Sequence, residues 1–332
     1  MRIIYSHAAA IFISISLIGC INDPNEITLE DACDADKNFC EEIQGDSRCR
    51  NERKEMILAR HKLKSTRDNN FAYNALINTE KFVKCAELAK GIEYVSVKTK
   101  YANVDKYRTR PLTEKEIKER LAYGESSIRR KNQKLNNYRY AEKELARLEE
   151  RTSFSSIPEL AHYHWTRHGN KEAIKKLVDL DNQGKINISW LQYYLSLHYS
   201  DIDGEKSMNA LHKSLILYPK GDYVDKIGDL NQDMHGKFEK FDDEGHIHFN
   251  ILRSLSSIQF SKGNYGASYI YAKTLELNND TTADLDFILM YIEKNKRSKK
   301  STLEDMAEDL DDLLSDGKLT LKFLTKIEQF KV

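Results

Sequence analysis

Five cysteines and a group of three histidines are the side chains of this chain best suited to chemistry. Cys33, Cys40, Cys49 and Cys85 follow Cys20, all before residue 86. Four cysteines, once Cys20 is set aside, suit two disulfides in an oxidising compartment, with three pairings open by count alone. Their C-x6-C and C-x8-C spacings match no usual zinc knuckle. His162, His164 and His168 fall within seven residues, and the last two stand at i,i+4, where two imidazoles can share a metal. His246 and His248 form a second pair, and Asp201, Asp203 and Asp242-Asp243-Glu244 are loop acids able to meet a cation. No HExxH, GxSxG, P-loop, GxGxxG or SxxK accompanies them. The competing role for the histidines is packing on aromatic helix faces with a polar tip. No catalytic residue, cofactor or metal ligand is therefore assigned, and an enzyme is not expected.

Cys20 has a different setting. Arg2 precedes an apolar run, Ala8–Ile18, of 11 residues. That is too short to span a bilayer as a helix and matches a signal peptide. The run ends Leu17-Ile18-Gly19-Cys20, which resembles a bacterial lipobox. The resemblance implies cleavage before Cys20 and acylation of that residue. Ile21, rather than Asp, follows, which implies sorting to the outer membrane, facing the periplasm.

The elements that position the other cysteines can be read from periodicity. Arg50–Lys64 places Met56, Ile57, Arg60 and Leu63 at helical spacing. Asn70–Lys90 places Phe71, Ala75, Asn78, Phe82, Cys85 and Leu88 on one stripe, with turn residues 65–69 between the two helices. Cys49 and Cys85 each lie 18 residues from the hairpin centre near Arg67. Equal rise brings them together at the open end. The pairs Cys49–Cys85 and Cys33–Cys40 follow. The acidic stretch before them, nine Asp/Glu against Lys37 in residues 21–46, reads as a spacer extended up to the first disulfide cysteine. Ile92–Tyr101 alternates as a strand would, but has no partner and is taken as loop or lone strand.

Pro111-Leu112-Thr113 opens a long helix with a Thr113/Glu116 capping box. Its apolar stripe (Ile117, Leu121, Ile128, Leu135, Tyr138, Leu145, Leu148) is interrupted by Gly124, Lys131 and Glu142. A helix packed along the body is preferred to a coiled-coil dimer. Helix pairs follow: Pro158–His168 with Lys171–Leu180, Asn187–Ser200 with Glu205–Tyr218, and His246–Lys262 with Tyr265–Asn278. Gly169 and Gly204 are 35 residues apart, near the tetratricopeptide period, and Lys262-Gly263-Asn264-Tyr265 resembles that motif's turn. An insert of about 25 residues after Pro219 breaks the period. Lys294–Lys300 is basic and reads as a linker in preference to a headgroup contact; Ser301–Asp316 is an acidic helix with a Ser301/Glu304 box; 318–332 adds a last helix.

Lys+Arg and Asp+Glu both number 52, so a chain-wide basic field for nucleic acid is absent. Four prolines and 14 glycines are too few for a sandwich or barrel. The expected class is all-α: a disulfide-stapled hairpin, one long helix, then stacked tetratricopeptide-like pairs. The expected division is signal peptide 1–19, acidic tether with its Cys loop 20–47, clamped hairpin 48–110, long helix 111–153, repeat region 154–293 and C-terminal helices 294–332. The lipobox, the spaced cysteines, Cys49-Arg50-Asn51-Glu52-Arg53, Ile57-Leu58-Ala59-Arg60-His61 and Lys84-Cys85-Ala86-Glu87-Leu88-Ala89 resemble an uncharacterised bacterial lipoprotein family, domain of unknown function 2989. The resemblance implies a lipoprotein and carries over no catalytic residue. The expected function is a periplasm-facing interaction or assembly scaffold, tethered to the membrane by lipid and binding peptide or protein. Tyr193, Tyr194, Tyr269 and Tyr271 are candidates for its groove or for the core. The alternative is a metal-dependent envelope enzyme using His162, His164 and His168.

Overall fold

The computed structural model describes residues 27–45, 48–66, 70–92, 95–218, 247–293 and 300–330. Cys20 with its lipobox, the insert after Pro219, Asp242-Asp243-Glu244, His246, the His248 side chain and most of the basic run at 294–300 lie outside them. Among the described residues there are fifteen helices and no strand.

The N-terminal unit is a three-helix bundle with two short helices against it. α1 (Leu29–Ala35) and α2 (Lys37–Glu42) precede α3 (Arg50–Thr66) and α4 (Asn70–Lys90). Both expected disulfides are present, Cys33–Cys40 between α1 and α2 and Cys49–Cys85 at the open end of the α3–α4 hairpin. α1 begins four residues before Cys33, earlier than the spacer reading allowed. Thr28 and Asp31 form a capping box there, and Ala32, Phe39 and Ile43 bury against Met56, Ile57 and Phe82. Glu30, Asp31, Asp34, Glu41 and Glu42 face solvent and Asp36 pairs with Arg60 and Lys64, while the apolar residues complete a core. The strand-like segment is also corrected: α5 (Val97–Lys106) is a helix, capped by Ser96, whose hydroxyl accepts from the Thr99 amide. That local cap overrides alternation where no second strand exists to pair with.

α6 (Glu114–Thr152) runs 39 residues from the Thr113/Glu116 capping box. Glu116 also takes Arg110 and Arg108, which with Thr113 hold its carboxyl well below the usual range. Leu148 shares a core with Ala72 and Leu76, and Ala141 one with Phe82 and Ala89, so α6 runs antiparallel to α4. Only this second half packs along the body. The first 23 residues bury no side chain and carry α5 alongside. Inside the bundle, Glu144 meets Arg60 and Arg147. Burial would raise its pKa, but the two guanidinium groups outweigh that and keep it ionised. Sandwiched between α3 and α6, α4 buries a wider face than one stripe, and its Leu88 is exposed.

Helix pairs follow: α7 (Pro158–His168) with α8 (Lys171–Asn182), α9 (Ser189–Tyr199) with α10 (Gly204–Ile216), and α11 (Ile247–Ser261) with α12 (Tyr265–Leu277). Gly169 and Gly263 adopt φ of 62° and 74°, conformations that turn the chain between partners at no Cβ cost. Small polar residues let the helices approach. Ser189 and Ser214 each donate to the other's carbonyl at 2.8 Å, and the Ser256 hydroxyl donates to the Ser268 carbonyl at 3.0 Å. α13 (Leu285–Glu293), α14 (Lys300–Ser315) and α15 (Leu321–Glu328) close the C-terminal core. α14 starts at Lys300, so Ser301 lies within the helix and is not its cap. α13 has no counterpart in the sequence reading. Glu328 on α15 accepts from His212 at 2.8 Å and Gln259 at 2.7 Å, fastening the last helix to α10 and α11.

Candidate functional site

The three clustered histidines ride on α7, which Pro158 opens and Gly169 ends. The His164 and His168 rings lie side by side, 5.6 Å apart, but His162 faces away from them. The His162 ring lies 4.5 Å from Tyr194 and 4.9 Å from Trp190, inside an aromatic cluster between α7 and α9. His164 Nε2 is 2.9 Å from Thr152 Oγ1, and His168 Nε2 is 3.1 Å from Glu149 Oε1. Successive i,i+2 positions on a helix point about 200° apart, so His162 and His164 necessarily face different neighbours. Burial, with His168 close by, holds the His164 pKa below its ordinary value, and Glu149 opposes this only in part. Among the described residues no group of three His, Cys, Asp or Glu side chains is placed to hold a metal ion. Beside this cluster, burial raises the pKa of the Glu159 carboxyl.

The four tyrosines do not line a groove. Tyr271 is 0% exposed and Tyr269 2%; Tyr193 is buried and Tyr194 half-buried. Tyr269 reaches the Glu304 carboxylate at 3.4 Å, and burial pushes its phenol up to about 12. Tyr269 and Tyr271 sit on α12, which α11, α13, α14 and α15 all contact, so both rings lie inside the C-terminal core.

An open cleft of about 500 Å³ lies elsewhere, between α2 and the middle of α6. Its lining is polar: Gln44, Asn132, Gln133, Asn136 and Asn137, with Glu41, Glu42, Glu125 and Arg129, and Ile128 at its edge. The chain itself shows what these amides can do. Asn137 donates to the Gln44 carbonyl at 2.9 Å and accepts from the Gln44 amide at 3.1 Å. Gln133 donates to the Gly45 carbonyl at 2.8 Å. Two amides one turn apart thus hold a non-helical backbone as a strand edge would. Asn132 and Asn136, also one turn apart, stand exposed beside them and, among the described residues, make no such contact. The sequence reading missed this site. Its signal was present in Asn132-Gln133 and Asn136-Asn137, amide pairs repeated at i,i+4.

A model of the family described as Protein of unknown function (DUF2989) matches residues 17–129 and 124–273. The chain belongs to this family. The two matched segments take in the disulfide-clamped bundle, all of α6 and the pairs through most of α12. The cleft of this DUF2989 chain falls where the segments meet. No curated protein and no solved structure matches the chain. Among the described residues no helix is long and apolar enough to cross a membrane.

Proposed function

We propose that this DUF2989 chain is a lipid-anchored interaction or assembly scaffold of the cell envelope, on the periplasmic face of the outer membrane, and that it binds peptide or protein in the α2–α6 cleft. The observation that carries the reading is the amide pair Asn132/Asn136, a free copy of the pair that already grips the chain's own backbone. Side-chain amides suit an extended peptide because each can donate to a carbonyl and accept from an N–H. Glu41, Glu42, Glu125 and Arg129 around them would select among charged side chains. The address rests on Leu17-Ile18-Gly19-Cys20, and the two disulfides agree with an oxidising compartment. The paired helices with glycine turns and small crossing residues are tetratricopeptide-like in design, and such stacks serve as platforms for other proteins.

Two measurements test this. Mass analysis of the chain from bacterial membranes should find Cys20 acylated and residues 1–19 removed; a soluble, uncut chain would overturn the address. A photo-crosslinker at Ile128 in intact cells should give discrete adducts that disappear in Asn132→Ala/Asn136→Ala. Adducts indifferent to those substitutions would sink the cleft as the binding site.

A further inference from the structure

The chain is neutral overall, but its charge is not spread evenly. Residues 95–140 hold thirteen Lys/Arg and five Asp/Glu, a net charge of +8. This stretch contains α5 and the unpacked first half of α6. Three of its five acids are already paired: Asp105 with Arg108 and Arg120, Glu114 with Lys118, and Glu116 with Arg108 and Arg110. Lys98, Lys115 and Lys131 are exposed and, among the described residues, meet no carboxylate.

The same arm carries apolar side chains with nothing over them. Ile117 is 44% exposed, Leu121 61% and Ile128 63%. Their spacing, i, i+4 and i+11, puts all three within about 40° of one another on the helix. Val104 and Tyr107, on and just after α5, are also exposed. Exposed apolar side chains occur elsewhere too, Leu88, Phe154 and Ile202 among them; in the arm three of them line one helix face beside a net charge of +8.

We propose that the α5–α6 arm docks on an anionic phospholipid surface. Cations around a narrow apolar stripe are what a helix lying at a membrane interface needs: charge for the headgroups and a few side chains for the acyl boundary. Tyr107 suits the same depth. A second copy of the arm is disfavoured as its cover, because it would bring +8 against +8. The proposal goes beyond the scaffold reading and does not depend on acylation of Cys20.

The test uses the full chain with Cys20→Ser, so that no acyl group contributes and the N-terminal segment is common to every comparison. Vesicles of phosphatidylethanolamine with phosphatidylglycerol are compared with phosphatidylcholine vesicles by sedimentation. Binding should be at least about tenfold tighter to the anionic vesicles and should weaken as salt rises. Lys98→Glu/Lys115→Glu/Lys131→Glu should lower the anionic-vesicle affinity about 100-fold, the effect of three surface cations. Ile117→Ser/Leu121→Ser/Ile128→Ser should weaken binding while keeping its salt dependence. Unchanged circular dichroism keeps both variants interpretable, since none of the six side chains is buried. Equal binding to the two vesicle types overturns the proposal, as does a triple Glu variant that binds like the parent. Binding of soluble polyglutamate without vesicle binding also overturns it, assigning the arm to an acidic protein instead.

Discussion

The two ends of the molecule are held together differently. Around its two disulfides the N-terminal unit gathers a small core, Ala32, Phe39, Ile43, Cys49, Met56, Ile57, Phe82, Ala89 and Ala141, distinct from the one its Leu63, Leu76 and Leu148 share with the helix pairs. The C-terminal core has no cysteine and gathers more than twice as many buried apolar residues as the core at the disulfides, Leu252, Leu255, Ile270, Tyr271, Leu275 and Leu310 among them. Covalent closure appears where apolar burial is thin, and is absent where burial suffices. The polar contacts follow the same division. In the first unit buried charge is balanced by Arg60, Arg147 and Glu144. In the second, hydroxyls and amides join the helices, with single carboxylates, Asp280 on Arg253 and Glu328 on His212, at the edges.

The sharpest test of this contrast is removal of Cys49–Cys85. Its sequence separation of 36 makes the loop-closure contribution about 4 kcal/mol, so Cys49→Ala/Cys85→Ala should greatly speed hydrogen exchange in α3 and α4. Exchange in α12 and α14 should hardly change; a uniform loss across both units would break the comparison. Leu255→Ala, at a fully buried site, should cost about 3 kcal/mol by denaturant titration, with the loss centred on α11–α14. Opening Cys33–Cys40, separation 7, should cost about 2 kcal/mol and release α1 and α2 alone, read as protease sensitivity before residue 45.

A pH test lies between the two units. The His164 pKa is depressed in the fold, so the folded state binds fewer protons there than the unfolded chain. The stability it contributes is full above the unfolded value near 6.5 and is lost as pH falls through the folded value. The thermal midpoint should therefore drop between about pH 7.5 and pH 5.5, and His164→Gln should flatten that part of the profile. The smallest effect is expected at Asn170, whose side chain accepts from Glu172 and Ala173 amides at the start of α8. Asn170→Ala should cost about 1 kcal/mol by thermal melt and leave the disulfide unit untouched.

Much of this was legible in the residues. The α3–α4 hairpin and its disulfide follow from spacing alone, because equal helical rise leaves one geometry. The pairs α7–α8 and α9–α10 were marked by Gly169, Asn170 and Asp203, which cap as their types require. What escaped did so for physical reasons. α1 and α2 hide in an acidic run because three buried apolar residues cannot outweigh seven charges in a composition reading, although Thr28 and Asp31 gave a cap signal. α5 was hidden by alternating β-formers, and α13 by the lack of a glycine turn ahead of it; Asp284 starts it instead, accepting from the Phe287 amide at 2.9 Å. The tyrosines Tyr269 and Tyr271 were ambiguous because an aromatic stripe reads alike whether it faces a groove or a neighbouring helix. The cleft was only half legible: the amide pairs at 132–133 and 136–137 stand in the sequence, but their partner Gln44 is far away in the chain.

That distance has a consequence for the order of assembly. The contacts that seat the first two helices are of two ranges. Arg53 donates to the Ile43 carbonyl and Lys64 meets Asp36, 10 and 28 positions apart, whereas Gln44 and Asn137 are 93 apart. A chain emerging from its N-terminus can lay α1 and α2 on α3 early, but Gln44, just past α2, is not gripped until α6 has followed. Cys33 and Cys40 can meet at once; Gln44 must wait. The cleft is thus the last part of the N-terminal unit to close.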